Sequence, residues 1–100
     1  MELVELQNVT IISERFLKDD IIDIIKKNNA KGFTVSDVTG EGSRGIRASE
    51  WEGRNVKIET IVSQSSADAI LQSISEHYFE NYAVIIYTQT VSVVRGEKYI

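Results

Sequence analysis

The sequence contains no cysteine and no proline, and its 100 residues include one histidine and one tryptophan. Without cysteine the chain has no disulfide framework, no thiolate nucleophile and no cysteine-based zinc site, and a cytoplasmic location is permitted. Without proline or a low-complexity segment, nothing marks a linker or an internal domain boundary. We therefore expect a single domain over residues 1–100.

Positive charge and long apolar runs are also scarce. The net charge of −4 gives no basic field for a nucleic-acid backbone, so nucleic acid is not an expected partner. The longest apolar runs, such as residues 83–87, are far shorter than the ~20 residues of a membrane span. Glu2 and Glu5 lie where an export signal would carry positive charge. We expect a cytoplasmic protein that is soluble, or peripheral at a membrane through a partner.

The first half of the chain predicts one strand and one helix. A short β-branched run at residues 9–12 predicts the strand. Ser13 is the predicted cap of a helix that continues to Asn28, and Gly32 is the predicted stop. Four apolar residues recur at helical spacing on one face of this helix: Leu17, Ile21, Ile24 and Ile25.

The remaining elements follow from alternation and from a second helical pattern. Alternating or β-branched runs predict three further strands, at residues 33–39, 55–62 and 83–94. A helix over residues 65–79 separates the last two strands, and Ser65 with Asp68 resembles its capping box. Its apolar positions have helical spacing: Ala67, Ile70, Leu71, Ile74 and Tyr78.

The predicted order is βαββαβ, which is typical of an α+β, ferredoxin-like fold. Such a fold has a four-stranded antiparallel sheet with both helices on one face. The other face must then be wet, covered by a ligand or buried in an oligomer. Because a domain this small is only marginally stable by itself, we expect additional burial by oligomerisation.

A glycine-rich segment, GEGSRGIRASEWEGR at residues 40–54, separates the second and third predicted strands. Its G-x-G-x-x-G pattern matches the dinucleotide fingerprint, but that motif requires a helix to follow and hold the pyrophosphate. Here the next predicted element is a strand. The P-loop pattern also fails, because no Lys-Ser or Lys-Thr pair follows the glycines.

Anion binding by this segment remains a physical option. Gly40 and Gly42 let successive amides turn inward as a nest, and Ser43 adds a hydroxyl donor. Arg44 and Arg47 supply planar, permanently charged forks that suit phosphate oxygens. The alternative interpretation is a flexible, polar connection between two strands.

The chain's one tryptophan lies in the same segment. Trp51, between Glu50 and Glu52, is a large apolar surface that would make a good anchor in a partner's pocket. The alternative is that it folds back over the edge of its own domain. Arg54 follows as a further cation.

Three stretches together resemble PII-like signalling proteins, most closely the SbtB-like branch found beside cyanobacterial bicarbonate transporters. They are AKGFTVSDVTGEGSRGIR at residues 30–47, NVKIET at residues 55–60 and YFENYAVIIY at residues 78–87. The most specific piece is G-x-G-S-R-x-x-R after a G-[FY]-T-V strand. The resemblance covers most of the chain in order, from about residue 9 to residue 94.

The resemblance implies a non-catalytic ferredoxin-like homotrimer that binds adenine nucleotides in clefts between subunits, with no metal. Residues 40–54 correspond to the family's T-loop, which responds to nucleotide and touches the regulated protein, a bicarbonate transporter or another partner. Phosphate contacts are implied at Gly42, Ser43, Arg44 and Arg47. The lip of the cleft is implied at Tyr82, Ala83 and Val84. Partner contacts are expected at Glu50, Trp51 and Arg54.

The effector nucleotide stays open among AMP, cyclic AMP, ADP and ATP. Nitrogen-regulatory PII proteins have a glycine-rich loop after the second helix, where this chain has FENYA at residues 79–83. Tight ATP selectivity is therefore not implied.

Other functions remain as alternatives. One is a protein-interaction trimer without nucleotide sensing. Another is an acylphosphatase-like enzyme, although SERF at residues 13–16 lacks a phosphate-cradling glycine. A third is an RNA-recognition domain, although the predicted strand at residues 55–62 has no stacking aromatic. We interpret His77 as an ordinary histidine at the edge of a helix's apolar face, and Asp19, Asp20 and Asp23 as a solvated face.

Overall fold

The chain forms a four-stranded sheet with two helices packed on one side. A computed structural model describes residues 1–40 and 55–100. The strands are β1 (Leu3–Glu14), β2 (Thr34–Val38), β3 (Asn55–Val62) and β4 (Ile85–Val94), and the helices are α1 (Lys18–Lys27) and α2 (Gln64–Tyr78). Short 3-10 turns follow β1 at Arg15–Leu17 and β4 at Gly96–Tyr99.

The strand order is β2-β3-β1-β4, and every neighbouring pair is antiparallel. This order, with the βαββαβ succession of elements, confirms the predicted ferredoxin-like α+β fold. β1 lies in the centre and pairs with β4 from Leu3↔Val94 to Ile12↔Ile85. Its pairing with β3 begins only at Gln7↔Val62. The first residues of β1 and the last of β4 therefore extend as a two-stranded ribbon beyond β3.

The core lies between the sheet and the helices. Alternate residues of β3 are buried from Val56 to Val62, and they lie opposite the alternate residues of β1 that include Val9 and Ile11. The helices contribute the other buried side chains of the cluster: Leu17, Ile21, Ile25, Ala67, Ile70, Ile74 and Tyr78. The predicted apolar faces of both helices are thus confirmed, with Ile24 and Leu71 only partly buried at their margins.

The end of α1 differs from the prediction. The N–H of Ala30 donates to the carbonyl of Ile25 (3.0 Å), and the N–H of Asn29 donates to that of Lys26 (3.2 Å). Asn29 takes a left-handed conformation with φ 73°. This is a Schellman ending in which asparagine replaces the usual glycine, because both residues tolerate that region. The helix is therefore closed three residues before Gly32.

Both predicted helix caps were wrong. Ser13 is a buried residue of β1, and its hydroxyl donates to the carbonyl of Glu14 (3.0 Å). The cap of α2 is Ser63, whose hydroxyl accepts from the N–H of Ser66 (3.2 Å). Ser65 lies already inside that helix, so the cap precedes the predicted position by two residues.

The strand bounds agree with the predictions to different degrees. β3 matches residue for residue, while β2 and β4 are one or two residues shorter at their ends. β1 is much longer than the predicted strand at residues 9–12. The residues of β1 that precede the predicted strand pair with β4. β4 is distant in sequence, so the alternation of nearby residues could not predict this pairing.

The sheet face away from the helices, the open face, is not covered by another layer of the described residues. Thr10 and Ile12 of β1 point to this face, as do Ile85 and Tyr87 of β4, because their neighbours in sequence point to the core. The Thr10 hydroxyl is buried there and has no hydrogen-bond partner among the described residues. At one corner, Gly96 packs against Val4.

Candidate functional site

Most of the candidate site residues named in the sequence analysis belong to connections that start or finish at one end of the sheet. At this end β1 and β2 finish and β3 and β4 start, and we call it the loop end. Glu14 and Val38 both lie opposite Asn55 in the strand registers, and Ile12 lies opposite Ile85. Side chains from any of the four strand ends are therefore within a few strand spacings of about 4.8 Å.

The predicted phosphate and partner contacts lie outside the described residues: Gly42, Ser43, Arg44, Arg47, Glu50, Trp51 and Arg54. The described residues on either side of them are Gly40, two residues after β2, and Asn55, the first residue of β3. Both belong to the loop end. The segment that contains the predicted contacts therefore leaves the sheet and returns to it there.

The three predicted lip residues are described, and they precede β4 at the same end. Tyr82 is partly exposed at 37%, Ala83 is exposed, and Val84 is half-buried against the core. The N–H of Tyr82 donates to the carbonyl of Tyr78 (2.9 Å), and the N–H of Val84 donates to the carbonyl of Tyr82 (3.1 Å). These bonds fix the connection that leads from α2 into β4.

Aromatic rings meet beside this connection. The rings of Phe16 and Tyr82 have centroids 6.0 Å apart with an interplanar angle of 58°. Tyr82 also meets Tyr78 edge-on, at 5.8 Å and 72°. Both separations are in the favourable range for aromatic pairs. Phe16 was not among the predicted site residues, because a lone aromatic in SERF belongs to no periodic pattern.

Tyr78 is the buried member of this cluster. Burial raises the pKa of its phenol, and the Asp20 carboxylate and the Tyr82 hydroxyl raise that pKa further. The phenol therefore stays protonated and neutral across the physiological range. Tyr78 accordingly serves as a neutral, packed support behind Tyr82.

An ion pair joins two elements at the loop end. The guanidinium of Arg15, directly after β1, contacts the carboxylate of Asp37 near the end of β2. The two side chains are 42% and 50% exposed, so the pair contributes little to stability. It does bring the end of β2, which precedes the glycine-rich segment, next to the 3-10 turn that contains Phe16.

A depression of about 240 Å³ opens away from the loop end, toward the other end of the sheet. Its wall includes Phe33, Thr34 and Glu59. The Asn8 amide donates to the Glu59 carboxylate (3.4 Å), and the Thr60 hydroxyl donates to the Gly32 carbonyl (2.6 Å). A carboxylate repels phosphate, so this depression does not suit a nucleotide's charged end.

The residues interpreted as surface groups lie on the surface. His77 is exposed, with Nδ1 2.7 Å from the carbonyl oxygen of Ser73, and Asp19, Asp20 and Asp23 are exposed on α1. Within residues 1–40 and 55–100, no three histidine, cysteine or acidic side chains converge as a metal site. No helix in that part of the chain is long and apolar enough to cross a membrane.

Comparison with known families and structures gives consistent matches. The family model described as "Nitrogen regulatory protein P-II" matches residues 6–98. A solved structure of a PII-like signalling protein from Thermus thermophilus is 51% identical, with a TM-score of 0.88 over the whole of both chains.

More distant structures share the fold. CPII from Thiomonas intermedia, a nitrogen regulatory PII-like protein solved with ADP, AMP and bicarbonate, is 21% identical to this chain. Its TM-score is 0.86, over 98% of this chain and 96% of that one. The same protein with ADP, AMP and acetate gives a TM-score of 0.84 at 20% identity, over 99% and 98% of the two chains.

Proposed function

This chain belongs to the nitrogen regulatory protein P-II family, and we propose on that basis that it binds an adenine nucleotide at the loop end. In this proposal the protein is a regulator without catalysis of its own. The effector is AMP, cyclic AMP, ADP or ATP, and its phosphates are held by Gly42, Ser43, Arg44 and Arg47.

One observation carries the proposal. Tyr82, Ala83 and Val84 precede β4 at the same end of the sheet where Gly40 and Asn55 flank the glycine- and arginine-rich segment. A partly apolar lip and a segment rich in anion-binding groups are therefore brought to one end by the topology. A nucleotide needs both, because its base is planar and apolar and its phosphates are anionic.

The relatives support the choice of nucleotide. CPII was solved with ADP and AMP, which are adenine nucleotides with a short phosphate chain. At about 20% identity CPII shares the fold with this chain, so the ligand is carried over only as part of the proposal. The connection FENYA has no glycine, so tight ATP selectivity is not implied.

We further propose that the protein assembles as a homotrimer and regulates a partner through residues 40–54. The open face supports assembly, because it carries apolar side chains such as Ile85 and Tyr87 with no covering layer among the described residues. Glu50, Trp51 and Arg54 would contact the partner. Resemblance to the SbtB-like branch suggests a membrane transporter, with bicarbonate as the candidate cargo.

A thermal-shift panel of ATP, ADP, AMP and cyclic AMP tests nucleotide binding, with GTP for comparison. A ligand present at 100 times its Kd stabilises the folded state by about 2.7 kcal/mol. For a domain of this size, such a change raises Tm by many degrees. We expect adenine nucleotides to give this shift, and their rank order to identify the effector.

Arg47→Ala should remove most of the shift, because the variant lacks a phosphate-binding fork. Lys27→Ala is the matched control, since it deletes one positive charge at the exposed end of α1. If no nucleotide shifts the wild-type Tm, the proposal fails. The alternative function, a protein-interaction trimer without nucleotide sensing, is then favoured. If Arg47→Ala binds as the wild type does, the assignment of phosphate contacts fails.

A further inference from the structure

Two aromatic side chains leave much of their surface uncovered at the loop end. Phe16 is 50% exposed and Tyr82 is 37% exposed, although their rings are 6.0 Å apart. They come from two separate connections, one after β1 and the other before β4. Exposed aromatic surface brought together from distant parts of a chain is a common mark of a binding surface.

The rings are held from behind. Leu17, next to Phe16, is buried in the core, and Tyr82 rests on the buried Tyr78 through ring contact and through its own N–H. Holding the two backbones in this way lowers the entropy that the rings lose when a ligand packs on them. The pair is therefore a preformed wall.

We propose that Phe16 and Tyr82 form the wall on which the base of the bound nucleotide packs, and that Phe16 is a specificity residue of the site. This inference rests on the nucleotide binding proposed above. Phosphate contacts cannot distinguish a nucleotide from any other organic phosphate. Exposed aromatic rings supply that distinction, because every nucleobase has an aromatic face that stacks on aromatic side chains.

Calorimetric titration with AMP and with ribose 5-phosphate isolates the contribution of the base. Both ligands carry the same phosphorylated ribose, and only AMP has a base. We expect Phe16→Ala to weaken AMP binding roughly five- to 150-fold, the range that corresponds to one stacked base. Affinity for ribose 5-phosphate should change less than about twofold, because its contacts do not involve the wall. Tyr82→Ala should give the same pattern.

Phe33→Ala is the matched control, because Phe33 is 40% exposed at the far end of β2. It should leave both affinities unchanged. Phe16→Leu keeps apolar packing without an aromatic face, and it should still weaken AMP selectively if Phe16→Ala does not fold. Equal AMP affinity in wild type, Phe16→Leu and Tyr82→Ala would overturn the inference while leaving nucleotide binding intact. A wild type that binds none of AMP, cyclic AMP, ADP and ATP would overturn the proposed function as well.

Discussion

Gly96 shows how tightly one residue can be constrained by its surroundings. It is buried in the turn after β4, where an added Cβ would lie 2.6 Å from the Val4 Cβ and 2.8 Å from its Cγ2. Real Cβ atoms do not approach this closely, and the Val4 Cβ is fixed to the backbone of β1. Arg95, just before Gly96, adopts a left-handed φ of 62°, so the turn has little room to shift.

Gly96→Ala should lower the free energy of unfolding by about 1–3 kcal/mol, the usual cost of overpacking. Gly32→Ala is the matched control, because its Cβ meets nothing within 4 Å and its backbone is not left-handed. It should be neutral or stabilise by up to about 1 kcal/mol. Urea unfolding at one protein concentration measures both. Equal stabilities for the two variants would contradict the close approach of Gly96 to Val4.

At the scale of the element, the start of α2 depends on which serine caps it. The Ser63 hydroxyl accepts from the Ser66 N–H, while Ser65 is exposed and its hydroxyl lies 3.3 Å from that of Ser63. The N–H groups in the first turn of a helix have no partner within the helix. Of the two serines, Ser63 is the one whose hydroxyl accepts from such a group.

Ser63→Ala should therefore destabilise the protein by about 1 kcal/mol, and Ser65→Ala by a few tenths at most. Thermal unfolding of the two variants beside the wild type makes the comparison. The reverse order would mean that α2 begins at the capping box predicted from the sequence.

The two serines show where prediction from sequence succeeds and where it stops. β3 was predicted to the residue because its alternation is complete, and the helix faces because 3.6-residue periodicity is strong. Caps were missed because neighbouring serines compete for one role, and the first part of β1 was missed because its partner is β4. At the proposed site, the resemblance implied Tyr82, and only the ring contact with Tyr82 drew attention to Phe16.

At the scale of the whole molecule, the open face is a sheet surface that no second layer covers within residues 1–40 and 55–100. It combines apolar side chains with the buried hydroxyl of Thr10, which has no hydrogen-bond partner among the described residues. A buried hydroxyl without a partner costs about 1–3 kcal/mol. Packing of a second copy on this face would bury the apolar groups.

Tyr87→Glu should shift the proposed homotrimer to monomers at micromolar concentration, because it would bury a charge between subunits. Tyr87 is 41% exposed on the open face. Ser65→Glu adds the same charge on the exposed first turn of α2 and should leave the assembly unchanged. Sedimentation velocity distinguishes the two states. A monomeric wild type would refute the trimer before any variant is compared.

The central position of β1 has a consequence for the folding of the chain while it is synthesised on the ribosome. β1 is made before the other strands of its sheet, yet one of its two partners, β4, is made after them, with Leu3 opposite Val94. Such distant pairing is slow to form, and an apolar strand that waits for its partner is exposed to association with other chains. The nascent chain cannot complete its sheet until β4 has been made. Chains that still lack β4 should therefore associate with one another more readily than the completed domain does.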